Sequence, residues 1–344
     1  MTLFRTLWHR ERPALSAAVT VLAAFGLIAV LVIAGGASLD HTLRTVTLGG
    51  ALLGLVVGAL GSFAVLRRQA LLGDALSHAA LPGVVLAFIL QGRDLGGLLV
   101  GAAIASLLAM LFITAVTRTT PIKQDAAQGI ALTAWFALGL MLLSYVQGQP
   151  DAAQAGLDKF IFGQAAALVQ DDLWLIAGVG GVILGVVVLF WRAFKLMTFD
   201  PDYAAALGLP VKRLESLLSV LMVTAIVLGL QLAGVILMVG LLIAPAAAAR
   251  QWTNRLGVMV VLSGMFGAFA GGAGALTSAT DVNLPTGPLM IVMAFVVVVV
   301  SVLFAPQRGV LWAMLRQRRE RHAAQYRHRP APAERRAPSA SSAD

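Results

Sequence analysis

Apolar runs of about 18–25 residues, separated by short polar interruptions, recur along nearly the whole chain. In helical geometry, at 1.5 Å per residue, such a run covers the roughly 30 Å hydrocarbon core of a bilayer. Eight of them read as spans: Leu15–Ala34, Thr45–Leu66, Leu72–Leu90, Gly96–Thr117, Ala126–Val146, Leu173–Trp191, Val258–Leu276 and Pro288–Ala305. Leu217–Ala249 is too long for one crossing and short for two. Gln231 and Gly234 near its middle predict a tight helical hairpin there. The pattern thus predicts an all-α polytopic membrane protein, with eight transmembrane helices plus a short pair, eight to ten in all. The charged stripes that a soluble helical protein carries at a 3.6-residue period are missing.

The interruptions divide the chain further. Residues 1–14 are polar and basic, 15–305 form the transmembrane domain, and 306–344 are rich in Arg, Ala, Pro and Ser. That composition predicts a largely disordered tail with a short helix near 309–326. The first apolar run exceeds the 7–15-residue core of a signal peptide and is read as a retained anchor. Residues 147–170, with Lys159 and Phe160–Leu168, read as a loop carrying a short interfacial or re-entrant helix. Asp40, His41 and Arg44 read as a polar loop, and His41 as an ordinary solvated histidine. Within Thr45–Leu66, glycines at 50, 54, 58 and 61 make a small-residue face on which another helix can pack closely.

Composition agrees: 59% of residues are apolar and 12% charged, with a mean hydropathy of +0.88. There is no Cys, hence no disulfide framework, thiolate site or cysteine nucleophile. The net charge of +9 is concentrated at one end, since the tail holds nine Arg against Glu320, Glu334 and Asp344. It is a bilayer protein with a basic tail, and nothing in it reads as a nucleic-acid groove. With the N-terminus in the cytoplasm, 22 of the 25 basic residues fall inside; only Arg44, Arg93 and Lys159 fall outside. By the positive-inside rule both termini are cytoplasmic. That count requires two crossings in 217–249.

One segment carries candidate chemistry. Asp74 and His78 are four residues apart, so on a helix they share a face. The surrounding residues are Leu, Ala and Gly, where an acid and an imidazole are costly unless they face a cavity or a ligand. The competing assignment pairs Asp74 with Arg67 or Arg68 near the surface. A carboxylate and a neutral imidazole form a donor set suited to divalent Mn, Fe or Zn. Pro82-Gly83 follows as a pair able to break or kink the helix beside a pathway, and Pro245 is a second breaker.

A second motif lies in the polar stretch 192–213. Asp200 is a good N-cap, Pro201 suits the first helical position, Asp202 favours the helix dipole and Gly208 suits a C′ site. Phe199–Gly208, including Tyr203 and Ala204, therefore reads as a short capped cytoplasmic helix on which a partner docks. There is no phosphate-binding loop for ATP, no H-E-x-x-H and no nucleophile elbow. A proton-coupled secondary metal transporter is the alternative; it predicts an internal repeat and further intramembrane carboxylates, and neither is apparent. An intramembrane enzyme would need a nucleophile or a fuller ligand set.

Several stretches together resemble one family. They are Leu66-Arg67-Arg68-Gln69 with Gly73–Gly83, Phe160-Ile161-Phe162-Gly163-Gln164, Thr198–Ala204, Gly234–Ala246 and Leu284–Pro288. In this order, over about residues 45–310, they resemble the membrane permeases of manganese/zinc/iron ABC importers. The resemblance implies a multi-pass plasma-membrane permease that is not itself an enzyme and binds no permanent cofactor, its cargo being Mn, Zn or Fe. It implies a second permease subunit, the same or paralogous, a cytoplasmic ATPase dimer and an extracytoplasmic metal-binding protein. Asp74 and His78 match the family's metal-path positions, and Phe199–Gly208 the segment that couples to the ATPase.

Overall fold

The computed structural model describes residues 41–92, 94–148, 168–234, 238–280 and 285–314. Eleven named helices lie within them: α1 His41–Leu66, α2 Ala70–Gln91, α3 Leu95–Thr119, α4 Gln124–Gln147, α5 Gln170–Leu189, α6 Trp191–Phe199, α7 Pro201–Ala206, α8 Val211–Ala233, α9 Met238–Trp252, α10 Leu256–Thr280 and α11 Thr286–Phe304. Eight are long and apolar enough to cross a membrane: α1 to α5, α8, α10 and α11. Seven of the eight spans read from the sequence are thus helices here. The first, Leu15–Ala34, lies outside the described residues, as do the N-terminal segment, Arg93, Lys159, Phe160–Gln164, Asp281 and the tail beyond 314.

The ambiguous stretch resolves into two helices. α8 ends at Gly234, whose φ of 78° is open to glycine and strained for other residues. α9 then runs for only 15 residues. The polar loop expected at Asp40–Arg44 is shorter than the sequence indicated, because α1 already starts at His41.

The glycine face of α1 meets α10. A methyl group on Gly50 or Gly54 would collide with the main chain of Gly271 or Gly267, and one on Gly58 with the carbonyl of Ser263. The approach is closed by Ser263, whose hydroxyl donates to the carbonyl of Gly58. Gly61, one turn further, leaves room for the backbone of α9 at Leu242 instead. α9 and α11 complete this group, and α5 lies against the outer side of α1.

A second group is α2, α3 and α4. Gly83 of α2 and Gly101 of α3 face each other backbone to backbone, and Ser106 donates to the carbonyl of Leu76 at 3.0 Å. α8 sits between the groups, touching α1, α2, α3 and α11.

Neither proline breaks its helix. α2 is continuous through Pro82 to Gln91, and α9 through Pro245 to Trp252. Pro82 still removes one N–H, so the helical bond to the carbonyl of His78 cannot form. Neighbouring helices allow such a proline inside a membrane bundle. Gly83 serves the close α2–α3 contact.

Candidate functional site

Asp74 and His78 occupy the second and third turns of α2 and stand one above the other. Nε2 of His78 lies 3.3 Å from Oδ1 of Asp74, with side-chain exposures of 16% and 31%. Two donors bonded to one divalent ion at about 2.1 Å, at an angle of roughly 90–109°, sit about 3.0–3.4 Å apart. The observed separation, an i,i+4 contact of ordinary helical spacing, falls within that range. Across from it, the ring of Phe136 on α4 packs edge-on at 4.7 Å. Nδ1 of His78 is buried with no hydrogen-bond partner among the described residues. The pair thus holds more polar capacity than its protein surroundings satisfy, the usual mark of a site that receives something else.

Asp74 is not neutralised by the arginines before it. Arg67 turns to Glu215 at the start of α8, and Arg118 at the end of α3 reaches the same carboxylate at 3.8 Å. Arg68 is exposed in the turn after α1, with a positive φ of 57°. No cluster of three or more His, Cys, Asp or Glu side chains that could hold a metal occurs among the described residues, so among them the pair offers two such ligands.

The stretch 199–208 folds as its residues dictate. The Asp200 carboxylate accepts from the N–H of Tyr203 at 2.9 Å, Pro201 opens α7, and Gly208 adopts a φ of 81°. The N–H groups of Gly208 and Leu209 turn back to the carbonyls of Ala205 and Ala204 at 2.9 and 3.1 Å. Ala204 is fully buried and anchors the turn, while Phe199, Tyr203 and Leu207 are each more than half exposed. Beneath it, Phe194 of α6 meets Phe63 of α1 with ring centroids 6.0 Å apart. The result is a rigid knob that presents three large apolar side chains.

Residues 39–305 match the ABC 3 transport family. The chain belongs to the ABC 3 transport family. It is 48% identical over 281 residues to the zinc transport system membrane protein TroC of Treponema pallidum, covering 81% of this chain and 94% of that protein. It is 47% identical over 274 residues to the manganese transport system membrane protein MntC of Bacillus subtilis, covering 79% of this chain and 63% of that one. A solved chain of PsaBC from Streptococcus pneumoniae, in complex with Fab, matches with a TM-score of 0.70 at 35% identity, over 80% of this chain and 96% of that one. This ABC 3 chain is accordingly a multi-pass plasma-membrane protein, and its relatives are membrane components of manganese and zinc transport systems.

Two groups in this ABC 3 chain escaped the reading of its sequence. Glu215, between the polar stretch 192–213 and the next apolar run, drew no notice, although it is the carboxylate that gathers two arginines from elsewhere. Gln128, one turn inside an apolar run, drew no notice; a lone amide amid Ala and Leu is the signal that was there.

Proposed function

We propose that this chain is the permease subunit of an ATP-driven importer of divalent transition metal ions, Mn, Zn or Fe, and that Asp74 and His78 line the ion's route. The observation that carries this reading is the 3.3 Å separation between Oδ1 and Nε2 on a membrane helix. Two ligands hold an ion without enclosing it, and a transported ion must leave again. The remaining ligands come from water or from a second permease subunit whose own pair faces this one. The relatives' zinc and manganese names support the class of cargo without choosing within it, because one carboxylate and one imidazole suit all three metals.

In this reading both termini and the Arg67–Arg118 end of the bundle are cytoplasmic. An ATPase dimer docks on Phe199–Gly208, and an extracytoplasmic binding protein delivers the ion. The exposed row of Phe199, Tyr203 and Leu207 supports the docking.

The test is uptake of radioactive Mn and Zn by cells whose only permease carries Asp74→Ala or His78→Ala. Uptake should be lost while the protein still inserts and assembles. Near-normal uptake in both variants would overturn the site. Ala75, Ser77 and Ala79 are fully buried inside the subunit, so cysteines there cannot report on a partner. Leu71 and Leu86 are exposed on α2, Leu71 one turn before Asp74 and Leu86 two turns after His78 beyond the buried Pro82. Cysteines at these two positions should cross-link between subunits if the route is shared, and should not if each subunit holds its own.

A further inference from the structure

Gln128 lies in the second turn of α4, fully buried, and neither Oε1 nor Nε2 of its amide has a hydrogen-bond partner among the described residues. An unmatched amide is costly in a low-dielectric interior, where leucine or alanine would fill the same space at no such cost.

Its neighbours along α4 say what it faces. Phe136 lies against His78, and a methyl on Gly139 would meet the side chain of Leu81, the same offset in both pairs. α4 and α2 therefore run side by side in the same direction. In that register Leu132 stands level with Asp74 and Gln128 level with Ala70. Gln128, Leu132 and Phe136 recur every four residues and so share a face. Ala127 and Ala131 are buried beside them, and α4 packs chiefly on α2 and secondly on α3. The amide thus sits in the same helical interface as the Asp74–His78 pair, displaced along it toward the end where Arg67, Arg118 and Glu215 meet. Eight residues separate it from Phe136, about 12 Å at 1.5 Å per residue. That is too far to share an ion with His78.

We infer that Gln128 is a second and weaker station on the metal route, on the release side of the Asp74–His78 pair, where its amide oxygen receives the divalent ion or the ion's hydration water. The inference rests on reading that pair as the transport site and the Arg67 end as cytoplasmic. Its chemistry fits release. The amide oxygen is a hard donor suited to a hydrated divalent cation, yet it carries no charge, so it holds the ion less firmly than a carboxylate and imidazole together. A route passing from two ligands to one neutral oxygen lets the ion go by steps. A carboxylate at 128 would make a trap, and an aliphatic side chain a dry barrier.

The experiment uses the complete importer in vesicles with Mn2+ as the probe. Gln128→Leu should lower the transport rate by about tenfold, the loss of one polar contact of ordinary strength. Binding of Mn2+ at Asp74–His78, read by the ion's electron paramagnetic resonance, should stay unchanged. Gln128→Glu should retain Mn2+ more tightly and turn over more slowly. Gln128→Cys would be the chain's one thiol. It should react with a charged thiol reagent only during ATP turnover, and Mn2+ should slow that reaction. Wild-type transport by Gln128→Leu overturns the inference. So does silence of Gln128→Cys during turnover while Asp125→Cys, in the exposed first turn, is labelled. If Gln128→Leu does not assemble, the Glu and Cys variants decide. Normal uptake after Asp74→Ala and His78→Ala would topple the pair itself; loss there alongside normal Gln128→Leu removes only the station at 128.

Discussion

Glu215 is where the structure makes its most quantitative demand. Its carboxylate joins Arg67, in the turn that leads into α2, and Arg118, at the end of α3, to the second turn of α8. Side-chain exposures are 13% for Arg67, 33% for Glu215 and 44% for Arg118. A fully exposed pair contributes about 0.2–1 kcal/mol, whereas breaking a buried one costs about 3–5 kcal/mol. Arg67 is nearly buried and Glu215 two-thirds covered, so their coupling should fall between, at about 1–2 kcal/mol. Arg118, more exposed and at 3.8 Å, should couple to Glu215 by no more than about 0.5 kcal/mol. Two double-mutant cycles measure these terms, Arg67→Ala with Glu215→Ala and Arg118→Ala with Glu215→Ala, by reversible unfolding of the purified permease in detergent. The larger coupling should shrink little between low and high salt, since burial limits screening, and the smaller should vanish. A coupling of Arg67 to Glu215 within about 0.3 kcal/mol of zero, or one smaller than that of Arg118, refutes the reasoning from burial.

Other expectations follow from packing and capping. Gly54→Ala and Gly267→Ala should each destabilise the protein by about 1–3 kcal/mol, because a methyl has only backbone to displace. By contrast Gly181→Ala, which meets nothing within 4 Å, should be neutral or stabilising by up to about 1 kcal/mol; thermal unfolding compares the three. Asp200→Ala should loosen α7 by about 0.5–2 kcal/mol through loss of its N-cap, seen as faster hydrogen exchange over 200–208. Replacing Phe199, Tyr203 and Leu207 together by Ala should leave the permease folded yet unable to retain the ATPase on a size-exclusion column; an intact complex would place the docking surface elsewhere.

Much of this was legible in the sequence, for definite reasons. A run of apolar residues in a bilayer has few alternatives to a helix, so Thr45–Leu66 and Pro288–Ala305 could be read directly. Asp200, Pro201 and Gly208 act through their own backbone geometry, and their roles survived folding unchanged. The glycines of α1 announced a close partner but not which one; Gly267, Gly271 and Ser263 carry the complementary small surface two hundred residues away. At the prolines a packed neighbour, absent from any local pattern, decides whether a helix continues. The competing pairing of Asp74 with Arg67 or Arg68 rested on proximity in sequence, and folding brought Arg67 to Glu215 instead. Gln128 was invisible to a search for charge, since its significance lies in what fails to meet it.

The seam between α1 and α10 also sets a timetable for the growing chain. Gly54 and Gly267 lie 213 residues apart, and synthesis proceeds at about 5–20 residues per second. After α1 leaves the ribosome, roughly ten to forty seconds therefore pass before its partner exists. Throughout that interval the narrow glycine strip faces lipid or whichever helix arrives first, and α2 to α5 and α8 must enter the membrane around an unfilled slot. The transmembrane bundle is closed by one of its last helices.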